Sequence, residues 1–158
     1  MIHPISPVFD EHSEILVLGS FPSVKSRESG FFYGHPQNRF WRVLAALYEE
    51  PLPAAVSEKK TLLLRHHIAL WDVIQSCEIE GSSDASIRDV VPNDLGVIFS
   101  AAPVRRVFTN GGTADKLYRK YCEKRTGLTA VRLPSTSPAN ARMGLEALIR
   151  AWNVLLER

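Results

Sequence analysis

Four short apolar runs punctuate the chain: Ile15 to Gly19, Ile68 to Ile74, Val104 to Asn110 and Thr129 to Leu133. Unbroken rather than alternating apolarity at this length suits strands buried on both faces. Between them apolar residues recur at helical spacing. Phe40, Leu44, Leu47 and Tyr48 make one face after Asn38, and Pro51 and Pro53 end it. Ser57 caps a second helix running to about Arg65, and Thr113 caps another running to about Lys124. Pro92-Asn93-Asp94 starts a short helix that buries Leu95, Ile98 and Phe99, and the stripe Leu145, Leu148, Ile149, Trp152, Leu155 and Leu156 marks the last one. Residues 1–13 read as a polar, proline-spaced entry segment, 20–37 as a long loop and 76–91 as polar and irregular.

Strands that alternate with helices pair in parallel through right-handed crossovers. The pattern therefore predicts a three-layer α/β/α sandwich around a central four-stranded parallel sheet, as a single domain over residues 1–158. In such sheets ligands bind at the carboxyl ends of the strands. That rule gathers residues 19–38, Asp72 and beyond, Asn110-Gly111-Gly112 and residues 134–142 on one rim.

Composition narrows the picture only a little. A net charge of +2, 45% apolar and 23% charged residues describe an ordinary globular chain that permits a nucleic-acid partner without demanding one. Cys77 and Cys122 have neither CxxC nor metal-ligand spacing, which points to a reduced cytoplasmic setting and to no metal. No apolar run approaches the ~18 residues needed to span a bilayer, and Met1-Ile2-His3-Pro4 does not open a signal peptide. There is no HExxH, P-loop, GxGxxG or Ser–His–Asp pattern, so no cofactor is expected.

The candidate chemistry lies on the predicted rim. Gly19-Ser20-Phe21-Pro22-Ser23 is a glycine-led turn in which backbone can approach a ligand, or a plain strand-to-helix turn. The stretch Phe31 to Trp41 holds five aromatics in eleven residues, several of them in a loop, where large apolar side chains need a reason. Phe40 and Trp41 read as packing; Tyr33 reads equally as a stacking wall for a nucleobase or as a loop residue folded over the core. Asn38 sits where a helix cap belongs, at the rim, and His35 is equally ambiguous. Pro134-Ser135-Thr136-Ser137-Pro138 offers hydroxyls and N–H groups just before a helix N-terminus, suited to phosphates or to a polar turn.

Taken together, these segments resemble the uracil-DNA glycosylase superfamily. Gly19 to Ser23 is similar to its first motif, GxxP(G/Y); Tyr33-Gly34-His35-Pro36-Gln37-Asn38-Arg39-Phe40-Trp41 to an FxHPxNRFW stretch; Leu133 to Ala141 to the (H/N/M)PS loop that presses into DNA. The combination has the form of the hypoxanthine-DNA (deoxyinosine) glycosylase branch. The resemblance implies a monofunctional, cofactor-free enzyme, a monomer acting on DNA that carries deaminated bases, on the nucleoid in a prokaryote. It implies Asn38 as the catalytic residue that positions water, since most members carry Asp or Asn where this chain has Phe21. It implies a base pocket of Gly19, Ser20, Phe21, Ser23, Tyr33, His35 and Asn110, with Ser23 leaving room for a purine where uracil enzymes have Tyr. Pro134, Ser135, Thr136, Ser137, Pro138, Asn140 and Arg142 would contact DNA. A uracil or mismatch-thymine glycosylase and a catalytically silent DNA-binding module stand as the rival readings.

Overall fold

The computed structural model describes residues 1–157. In chain order the elements are β1 (Ile15–Gly19), α1 (Val24–Ser29), α2 (Phe40–Leu47), α3 (Val56–Arg65), β2 (Ile68–Asp72), β3 (Ile74–Glu78), β4 (Arg88–Pro92), α4 (Gly96–Phe99), β5 (Arg106–Asn110), α5 (Gly112–Tyr121), α6 (Glu123–Thr126), β6 (Ala130–Leu133) and α7 (Leu145–Trp152). The four apolar runs form one parallel sheet in the order β2-β1-β5-β6. Every residue of β1 and β2 is buried, which is why their sequences do not alternate. Helices surround the sheet: α3 packs on β2, α5 on β5 and β6, and α2 against α7. The predicted α/β architecture is the observed one.

β2 is an edge strand, yet it is fully buried because the entry segment covers it. Val8 and Leu70 exchange N–H···O bonds at 2.9 Å, and Ile2 bridges Ser76. An exposed strand edge is thereby closed.

Four local expectations need correction. The run Ile68 to Ile74 is not one strand: β2 stops at Asp72, and the chain turns at Val73 into the antiparallel hairpin β3–β4, where the sequence reads as irregular. That hairpin is held by a second, small cluster of Phe21, Ile74 and Cys77, with Ile79, Ile87 and Val90 against it. The loop 20–37 contains α1, capped by Ser23 Oγ, which accepts the Ser26 N–H at 3.2 Å, and closed by Gly30 at φ +77°. Neither Ser57 nor Thr113 is a cap. α3 starts after Ala55, whose N–H is held by Glu58, and α5 starts after Gly111 and breaks at Cys122.

Among the described residues no helix is long and apolar enough to cross a membrane. Cys122 ends α5 at 3% exposure, and burial pushes its thiol up to about 11, partly offset by Arg125. A thiol ionises near ~8.5 in an unfolded chain. The folded value is the higher one, so the stability contributed by Cys122 is complete below pH ~8.5 and is lost as pH rises towards 11. Native protein at pH 8.5 should therefore leave Cys122 unmodified by iodoacetamide, and urea should expose it; rapid native labelling would contradict the burial.

Candidate active site

β1, β2 and β5 end on Gly19, Asp72 and Asn110, and these three residues share the wall of one cavity of about 120 Å³. The segment after β1 adds Ser20, Phe21 and Ser23; the aromatic loop adds Phe32, Tyr33 and Asn38; the loop after β6 adds Ser135, Thr136 and Ser137; the hairpin tip adds Ser82 and Asp84. The rim predicted from strand order is thus one pocket. His35 is not in it: its Nδ1 accepts the Gln37 N–H at 3.0 Å and it contributes nothing to the wall. Pro134, Pro138, Asn140 and Arg142 lie outside the cavity, and Pro138 and Arg142 are exposed on the crest of the loop.

One wall is a hydrogen-bonded chain of three side chains. Asn38 Oδ1 accepts the Phe40 N–H and the Thr136 Oγ1–H, both at 2.9 Å. Thr136 Oγ1 also accepts from Asn110 Nδ2 at 3.0 Å, and Asn110 Oδ1 accepts the Thr136 N–H at 3.0 Å. Because the Phe40 N–H can only donate, the amide orientation of Asn38 is fixed. Its carbonyl oxygen is fully engaged, and Nδ2, with no partner among the described residues, is the group left for the cavity. Thr136 is completely buried, so its hydroxyl braces the two asparagines and is not presented to a phosphate. The expectation of a helix N-terminus directly after this loop is also corrected, because α7 begins only at Leu145.

Arg39 fixes the loop itself. Its guanidinium donates to the carbonyls of Ser137 at 2.8 Å, Asn140 at 3.0 Å and Met143. Its own N–H donates to Thr136 O at 3.1 Å. Nothing in the residues around Arg39 marks this role, because its three carbonyl partners lie about a hundred positions away.

Tyr33 lines the cavity and is at the same time folded onto the core. One ring face lies on Phe40, centroids 4.1 Å apart at 21°. Its hydroxyl is inaccessible and has no hydrogen bond. Burial first, then the neighbouring Asp72 charge, hold that phenol far above its ordinary ionisation range, so it stays a donor. Tyr33 adopts φ +52°, a left-handed conformation disfavoured for aromatics, steadied where Ser26 Oγ accepts the next N–H, that of Gly34, at 2.9 Å. The hydroxyl and Asp72 Oδ1 converge above Gly19. A Cβ built on Gly19 would overlap Asp72 Oδ1 and come within 3.0 Å of the Tyr33 hydroxyl. Gly19→Ala should therefore lower stability by about 1–3 kcal/mol, read as a lower urea midpoint with unchanged slope; an unmoved midpoint would show that Asp72 has room to retreat.

Two carboxylates enter the cavity that sequence reasoning left unassigned. Asp72 is 3% exposed, and its Oδ2 lies 2.7 Å from His3 Nε2. Asp84 leans in from the hairpin tip; its residue as a whole is exposed, but its carboxylate turns inward and accepts the Ser20 Oγ–H at 3.1 Å. Partial burial, and then the charge of Asp72, raise its pKa against the opposing bonds from Ser20 and Thr113. His3 belongs to the polar, proline-spaced entry segment, and nothing local in the sequence marks a residue whose partner is 69 positions away.

The wider comparison agrees with this layout. The family description "Uracil DNA glycosylase superfamily" matches residues 6–156. A protein named hypoxanthine DNA glycosylase from Methanosarcina acetivorans is 38% identical over 136 residues, covering 85% of each chain. One of the same name from Methanosarcina barkeri is 34% identical over 153 residues, covering 96% of each. The solution NMR structure of a candidate uracil DNA glycosylase from Methanosarcina acetivorans superposes with a TM-score of 0.81 at 32% identity, over 99% of this chain and 100% of that one. With the motif order, the sheet and the rim cavity all in agreement, this chain belongs to the uracil DNA glycosylase superfamily.

Proposed function

We propose that the chain is a monofunctional DNA glycosylase that hydrolyses the bond between deoxyribose and a flipped hypoxanthine, with uracil as a lesser substrate. The observation that carries this reading is the Asn38–Thr136–Asn110 chain, which fixes one amide N–H group at the wall of the cavity on the strand-end rim. The two relatives named hypoxanthine DNA glycosylase support the choice of base.

A base inside duplex DNA must leave the stack before protein groups reach its glycosidic bond. The crest Pro138 to Arg142, stiffened from below by Arg39, props the vacated space, while Ser135, Ser137 and Asn140 contact the backbone beside the lesion. Cleavage passes through a sugar of oxocarbenium character, which tolerates a weak nucleophile. Asn38 Nδ2 donates to the attacking water and holds it, leaving the water's other lone pair for the sugar. With its oxygen engaged, Asn38 positions the water and does not deprotonate it; the C1′–N9 bonding pair leaves on the base, and the proton shed by the water as its oxygen bonds C1′ neutralises that departing anion. The enzyme acts as a cytoplasmic monomer, on nucleoid DNA in a prokaryote.

The test is a panel of otherwise identical duplexes bearing hypoxanthine, uracil, a thymine mismatch or no lesion, incubated with excess enzyme. Abasic product should form fastest from hypoxanthine and not at all from the undamaged duplex. Failure to release any of these bases would leave only a DNA-binding module.

A further inference from the structure

His3 reaches Asp72, in the cavity wall, from outside every motif of the family resemblance. The first residues are laid along β3 by the Met1 O···Cys77 N–H and His3 N–H···Gln75 O bonds, at 2.9 and 2.7 Å. This places the His3 imidazole, with 2% of its side chain exposed, against Asp72. The edge of the Phe21 ring packs on it at 5.7 Å, and Phe32 lies at 6.1 Å. Phe21 therefore helps to hold the imidazole.

The tautomer of His3 follows from its other nitrogen. Nδ1 accepts the Ile5 N–H at 3.1 Å, and a backbone N–H can only donate. Nδ1 therefore carries a lone pair, the proton sits on Nε2, and Nε2–H donates to Asp72 Oδ2. The second oxygen, Oδ1, accepts no hydrogen bond among the described residues and overhangs Gly19 inside the cavity. Beside it, over the same glycine, lies the buried Tyr33 hydroxyl.

We propose that the His3–Asp72 pair sets base specificity, His3 holding Asp72 so that the cavity meets the base with an obligate acceptor. This rests on the reading of the cavity as a base pocket. Hypoxanthine presents N1–H, a donor, which complements the Asp72 carboxylate in the cavity wall. Adenine presents a bare N1 lone pair there, which would face Asp72 Oδ1 with no proton between them. Sites built to hydrogen-bond one group reject an analogue lacking it by factors of about 10⁴ or more, because their own buried polar atom is left unpaired. His3 is a positioning residue here: it touches no substrate and acts through the carboxylate.

Asp72→Asn supplies a sharp test because His3 also dictates how the new amide must lie. Its oxygen must accept from His3 Nε2–H, so its NH₂ faces the cavity and the acceptor becomes a donor of nearly the same shape. Single-turnover rates are measured on duplexes carrying hypoxanthine, adenine or unsubstituted purine, whose N1 is a lone pair without added bulk. Wild-type enzyme should favour hypoxanthine over purine strongly. Asp72→Asn should slow hypoxanthine by about 10²-fold or more while the hypoxanthine-to-purine ratio collapses or inverts. His3→Phe keeps the ring packing and frees the carboxylate to turn, and should reduce the same ratio by about tenfold, equivalent to the loss of one hydrogen-bonded orientation. If both variants, folded by their melting curves, slow hypoxanthine and purine by one common factor, the pair is structural and the proposal is overturned. Wild-type enzyme that leaves hypoxanthine uncut would instead remove the glycosylase reading on which the proposal stands.

Discussion

Asn38→Ala is expected to slow single-turnover excision of hypoxanthine by about 10²- to 10³-fold, the usual effect of removing one preorganised donor from a water-excluded site, with little change in affinity for lesion DNA. The direction follows from which atoms of Asn38 are free. Phe40 N–H and Thr136 Oγ1–H occupy its oxygen, so only Nδ2 can hold the water. Alanine also deprives those two donors of their acceptor, at about 1–2 kcal/mol of stability. Asn38→Asp separates the two effects. A carboxylate still accepts both bonds but offers no N–H, so the melting temperature should recover towards wild type while excision stays slow. DNA affinity by fluorescence anisotropy and cleavage by quench assay give the two readouts. Wild-type cleavage by Asn38→Ala would end the assignment; lost affinity with unchanged chemistry would move Asn38 to the DNA-contact surface.

What the sequence revealed of this site depended on whether a residue's role is written in its neighbours. The strands were legible because β1 and β2 are buried on both faces and show it as unbroken apolarity. Their parallel order then places Gly19, Asp72 and Asn110 on one rim. The hairpin β3–β4 was not legible. Only Ile74 and Cys77 of β3 are buried, and its register with β4 shifts twice, so no clean alternation survives. α1 was missed because Val24 to Ser29 has no apolar stripe and is held by a serine cap and a glycine stop instead. Asn38 was read as both cap and site residue, and the geometry explains the coincidence: its oxygen serves the helix backbone and its nitrogen is left to the cavity. Tyr33, which both lines the cavity and folds onto the core, and His35 and Thr136, which turn away from base and phosphate, share one cause. Sequence assigns residues to a loop, but which way each side chain of a loop points is decided by partners elsewhere, here Phe40, Gln37 and the two asparagines.

Phe40→Ala should be the most destabilising single change in the aromatic stretch, at about 3–5 kcal/mol. The ring is completely buried, edge-on to Trp41 at 4.8 Å and to Trp152 at 5.9 Å, so it joins α2 to α7. Domains of this size hold about 5–15 kcal/mol in all, and the midpoint of thermal unfolding should fall by roughly 10 °C. The change also removes the ring on which Tyr33 lies, and with it the reason for the Tyr33 hydroxyl to stay above Gly19 beside Asp72. Excision by the folded fraction should therefore fall as well, measured well below the melting temperature, where unfolding is negligible. Phe40→Leu fills part of the volume but offers no stacking face: it should recover much of the stability and little of the activity. Should Phe40→Leu restore both together, Tyr33 would be held by its own loop, and the aromatic stretch would serve the core alone.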